Sequence, residues 1–128
     1  MKSITVLAIF LVFCVASLEC CQITMKLRSK TKNKFRIQVV VPALNQESER
    51  ILFTKPQEKK ITIKGENCGK LHWVVRTWKL DREGNWVNAK EVKAKLDGRG
   101  WLRVNVGDDL NPFFMDRSGV MCSEGFCG

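Results

Sequence analysis

The sequence predicts an all-β fold: a small, secreted, two-sheet antiparallel sandwich with a disulfide-clipped C-terminal tail. Three observations carry this. Residues 22–41 alternate with a period of two. The densest apolar stretch beyond the amino terminus, Leu71–Leu80, reads as a strand inside a sheet. Two D-x-x-G segments, Asp81–Gly84 and Asp97–Gly100, stand sixteen residues apart and frame a three-stranded meander.

Residues 1–20 read as a signal peptide. Lys2 precedes an apolar run from Ile4 to Ala16, followed by small residues. The run is shorter than the ~20 residues a membrane-spanning helix needs. Cleavage after Cys20 leaves four of the six cysteines, Cys21, Cys68, Cys122 and Cys127. Cleavage after Ser17 leaves five. An even set can pair completely in an oxidising compartment, so the first site is preferred and residues 21–128 form one extracellular domain. Four cysteines allow three pairings, and spacing does not choose among them.

From residue 23 to residue 41 the odd positions carry Ile23, Met25, Leu27, Phe35, Ile37, Val39 and Val41. The even positions carry Lys26, Arg28, Lys30, Lys32, Lys34 and Arg36. Successive side chains of an extended chain point to opposite faces, so one face is apolar and the other a row of cations. The polar segment Ser29–Asn33 breaks the run, giving an expected hairpin with strands near 22–28 and 34–41. Pro42 ends it. Residues 43–50 are polar and loop-like, and short strands are expected at Ile51–Thr54 and Lys60–Lys64 around a turn at Lys55–Glu58.

In the meander, Asp suits the first position of a type I turn and Gly the left-handed residue that closes a three-residue hairpin loop. The register that follows sets Leu80 across from Trp86, Val74 beside Val92 and Val106, and Leu96 across from Leu102. The even-numbered face becomes the core. It also sets Arg76 opposite Lys90, a repulsive pair read as the rim, beyond the core. The odd face carries Leu71, Trp73 and Val75, which need cover from the first-half strands. Left open, Trp73 with Lys93 and Arg103 forms a secondary binding face. A short helix over Val87–Leu96 is the alternative to a strand there.

Charge narrows the partners. The chain has a formal net charge of +9. Residues 22–64 hold eleven Lys and Arg against three acids, while residues 65–128 hold ten against nine. Such asymmetry points to an acidic partner, such as a sulfated glycan, an anionic membrane surface or an acidic protein, with nucleic acid the less favoured choice. The same row is also what a solvated strand face carries to discourage edge pairing.

Catalytic chemistry is poorly provided for. His72 is the one histidine, and no nucleophile motif accompanies it. Asp108 and Asp109 are adjacent, so they point apart on a strand, and Asp108–Asp116 lacks calcium-loop spacing. No metal or cofactor is expected. Gln38–Pro42 has Pro42 where the inhibitory loop of cystatins needs glycine, and a chain without tyrosine cannot form the immunoglobulin tyrosine corner. The expected function is noncatalytic binding to an anionic partner through Lys26, Arg28, Lys30, Lys32, Lys34 and Arg36. The alternative is a secreted inhibitor or host-defence effector.

Overall fold

A computed structural model of the chain describes residues 21–127. The expected signal peptide and its cleavage site lie outside the described residues. Eight strands follow in order: β1 (Cys21–Ser29), β2 (Phe35–Val41), β3 (Gln46–Glu47), β4 (Ile51–Phe53), β5 (Gln57–Gly65), β6 (Trp73–Leu80), β7 (Trp86–Val106) and β8 (Pro112–Ser123). Two short 3-10 turns, Pro42–Leu44 and Cys68–Lys70, are the helical elements among the described residues.

The strands form one curled sheet in the order β3-β2-β6-β7-β1-β5, with β4 on β2 and β8 on β7. The sheet curls into a half-barrel around a single core. The all-β expectation and the tail disulfide hold, but two separate antiparallel sheets do not form. One reason is β7, which pairs with β6 through its first half and with β1 and β8 through its second. It thereby joins a β1 wing (β5-β1-β7-β8) to a β2 wing (β4/β3-β2-β6-β7). A further departure is that β1 and β7 run parallel.

The alternation of residues 22–41 is observed: Ile23, Met25, Leu27, Phe35, Ile37, Val39 and Val41 are all fully buried. Their partners differ from expectation. β1 and β2 do not form a hairpin, because the link between them is tied to the far end of β7. Lys30 N donates to Val106 O at 2.8 Å, and Thr31 Oγ1 donates to Asp108 Oδ1 at 2.6 Å. Ser29 and Thr31, both 2% exposed, are part of this anchor. The chain therefore crosses to the other wing instead of doubling back. The expected pair around Lys55–Glu58 separates in the same way: β4 pairs with β2 and β5 with β1.

The turn at Asp81–Gly84 forms as expected, with Asp81 N donating to Asn85 O and Leu80 opposite Trp86. Past it the register slips. Ala89 and Lys90 together face Thr77, a β-bulge, so Val75 rather than Val74 meets Val92. Arg76 consequently meets Glu91 instead of Lys90, and Arg76 Nε lies 3.4 Å from Glu91 Oε1. The one-residue slip turns the odd face of β6 inward, which buries Trp73 completely.

The second D-x-x-G is no hairpin turn. β7 runs straight through it as a strand, which also excludes the helical alternative. Arg99 and Gly100 face Gly119 of β8 at another bulge. A Cβ on Gly119 (φ +73°) would stand 2.1 Å from Arg99 O, so only glycine permits this backbone approach. Leu96 and Leu102 thus lie along one strand, both inward and both fully buried.

The four cysteines pair as Cys21–Cys68 and Cys122–Cys127. The first spans 47 residues and on loop-closure entropy stabilises by about 4 kcal/mol; the second spans 5 and gives about 2 kcal/mol. The tail is held further by Phe126 N donating to Lys93 O at 3.0 Å and by Lys95 Nζ, 2.6 Å from Glu124 Oε2. That hydrogen bond, with the charge of Lys95, holds the Glu124 carboxyl below its usual range. His72, half-buried, is a structural tie to the same tail, its Nε2 2.6 Å from Glu124 O.

Candidate functional site: the outer face of the β1 wing

On β1 the odd residues fill the core, so the even ones stand outward. Register then decides what stands beside them. Lys26 lies opposite Lys60 of β5 on one side and Arg103 of β7 on the other. Arg28 lies between Glu58 and Asn105, Thr24 between Thr62 and Trp101, and Gln22 between Lys64 and Arg99. β5 obeys the same alternation: Lys60, Thr62 and Lys64 face out while Ile63 faces in. The result is a polar face on which cations from three adjacent strands converge.

Two acids temper it, and both act on one residue. Arg103 Nη1 donates to both oxygens of Asp116, at 3.1 and 3.0 Å, and its Nε lies 3.4 Å from Glu58 Oε1. Arg103 is therefore neutralised locally. Lys26 instead places its Nζ 4.1 Å from the centroid of the Trp101 ring, with the Arg103 guanidinium 5.3 Å from the same ring. Trp101 thus holds two cations in place through its π face instead of offering an open stacking surface. Lys60, Lys64, Arg28 and Lys30 have no ion-pair partner among the described residues.

Lys26 and Lys60 are like charges directly across a strand pair, an arrangement that destabilises a sheet. At the end of the face, where β1 leaves the sheet, a groove of about 640 Å³ opens between Arg28, Lys30, Gln57, Glu58 and Arg103.

The six-cation row is thus divided. Lys26 and Arg28 stand on this face and Lys30 lines its groove. Lys32 and Lys34 are exposed in the crossing link. Arg36 belongs to the other wing, where its guanidinium lies 4.4 Å from the Trp86 ring centroid while Arg50 covers Trp78 at 4.3 Å. The odd-face grouping of Trp73, Lys93 and Arg103 does not assemble. Trp73 is in the core, its Nε1 donating to Cys68 O at 2.9 Å. Lys93 is on the β2 wing, 3.8 Å from Glu91, and Arg103 is on the β1 wing.

Sequence reasoning missed Lys60, Lys64, Arg99 and Trp101 as members of the face. The alternation of Lys60–Lys64 was a usable signal for Lys60 and Lys64; their position beside β1 was not legible. Among the described residues no group of three or more His, Cys, Asp or Glu is placed to hold a metal ion, and no helix is long and apolar enough to cross a membrane. The two disulfides are compatible with an extracellular location. No protein-family model matches the chain, and no curated protein is significantly similar to it.

Proposed function

We propose that this is a secreted, noncatalytic binding protein that contacts an anionic extracellular partner through the outer face of the β1 wing. One observation carries the reading: Lys26, Lys60 and Arg28 come together there from adjacent strands, Lys26 and Lys60 stand across from one another, and the one acid in register with them, Glu58 opposite Arg28, is engaged by Arg103. A solvated face needs no such convergence, and folding alone disfavours it. An anion laid across the pair would turn repulsion into attraction. Contact of this kind is electrostatic, so affinity falls as ionic strength rises.

Salt-gradient elution from immobilised heparin tests it. The disulfide-bonded protein is retained, and the double variant Lys26→Glu/Lys60→Glu elutes at clearly lower salt. The control Lys79→Glu/Lys90→Glu, with the same charge change on exposed residues of the β2 wing, elutes close to wild type. Equal elution shifts for the two double variants would reduce the interaction to net charge and sink the reading.

A further inference from the structure

Resting on that reading, we infer that the groove at the end of the face is a sulfate subsite, and that the partner is a sulfated glycan. The groove holds two cations, Arg28 and Lys30, without ion-pair partners among the described residues. Its third, Arg103, is committed to Glu58 and Asp116. A guanidinium fork beside an ammonium in a concave site suits a compact, multi-oxygen anion, which can accept from both prongs at once.

The subsite continues into a track. Arg28 is two residues along β1 from Lys26, a rise of roughly 7 Å, and Lys60 stands across from Lys26. Between these cations and the outer end of the face lie Thr24 and Thr62, joined hydroxyl to hydroxyl at 3.1 Å. Charge alternating with neutral hydrogen-bonding groups matches a polymer that alternates anionic substituents with hydroxyls.

Two other polyanions fit less well. A membrane surface calls for apolar side chains among the cations, yet none of the exposed large apolar residues lines the groove or stands between Lys60, Lys26 and Arg28. Single-stranded nucleic acid calls for an open aromatic ring on which bases stack. The one tryptophan of this face already carries Lys26 and Arg103, and Phe113 of β8, across from Asn105, is packed edge-to-face with Phe126.

Calorimetric titration of the disulfide-bonded protein at fixed salt separates these cases. The probes are a heparin octasaccharide, the same octasaccharide chemically desulfated, single-stranded DNA and phosphatidylserine vesicles, compared at equal concentrations of anionic groups. The sulfated octasaccharide binds most tightly, and desulfation weakens it. Arg28→Ala/Lys30→Ala weakens the sulfated ligand by about tenfold, the scale of losing charge-assisted hydrogen bonds at exposed groups. Arg28→Lys keeps the charge but not the fork and gives a smaller loss.

Wild-type affinity in both the double variant and Arg28→Lys removes the groove from the site. If Lys26→Glu/Lys60→Glu has still lost binding, the broader reading survives that result. Vesicles or DNA binding as tightly as the sulfated octasaccharide overturns the glycan assignment alone. Failure to bind any of the four probes overturns both.

Discussion

Thr77 shows how one side chain sets a register. It is fully buried in a strand of large apolar residues, where a hydroxyl needs partners. It finds two: Oγ1 donates to Leu110 O at 2.7 Å and accepts from Lys90 N at 3.2 Å. The second bond holds the extra residue of the bulge, and the first ties β6 to the turn before β8. Thr77→Val keeps shape and volume but removes both bonds. It is expected to cost about 1–3 kcal/mol, the penalty for leaving buried backbone groups short of partners, read as a lower urea midpoint. Thr77→Ser, which keeps the hydroxyl, is expected to lose less. Equal losses would assign the effect to packing. The sequence shows Thr77 as one odd-numbered residue of an alternating strand, and nothing local says its hydroxyl accommodates a bulge. That is why the like-charge pair Arg76–Lys90, which a continuous register requires, signalled an error in register and not a rim.

At the scale of elements, spans were legible and partners were not. Alternation located β1 and β2 and assigned their buried residues, because burial of one face is a property of the strand itself. Which strand lies alongside depends on contacts distant in sequence, such as Thr31 with Asp108. The two D-x-x-G segments make the same point, since only the first becomes a turn. At the second, Gly98, Gly100 and Gly119 let β7 and β8 approach at a bulge, and β7 passes from one wing to the other. The decisive glycine, Gly119, lies nineteen residues past the end of the motif it modifies. Gly119→Ala is expected to destabilise by roughly 1–3 kcal/mol through backbone strain, with further loss from the clash. Gly84→Ala, at φ +82° with nothing within 4 Å of the added methyl, is the milder case, at about 1 kcal/mol. Denaturant unfolding of the two variants ranks them, and the reverse order would show that the β7–β8 approach is not constrained.

For the whole molecule, the disposition of charge matters more than its total. The sequence registers a basic first half, but the face draws Lys26 and Arg28 from β1, Lys60 and Lys64 from β5, and Arg99 and Arg103 from β7. No single run contains it, so the candidate site was only partly legible. Lys26 and Lys60 stand directly across the β1–β5 pair, a like-charge arrangement that disfavours pairing, and a thermodynamic consequence follows. Lys60→Thr, a residue suited to a strand, removes the repulsion without opening the core, since Lys60 is exposed. It is expected to raise stability by roughly 0.2–1 kcal/mol at low salt. The gain should shrink toward zero near 1 M salt, where charges are screened over about 3 Å. The same variant is expected to elute earlier from heparin. Paired urea titrations at low and high salt give the first half of this statement and the salt gradient gives the second. A face kept for binding shows both changes together, stability rising as retention falls. Earlier elution without a salt-dependent gain would mean that Lys26 and Lys60 lie too far apart in solution to repel, and the convergence on which the proposed function rests would be lost with it.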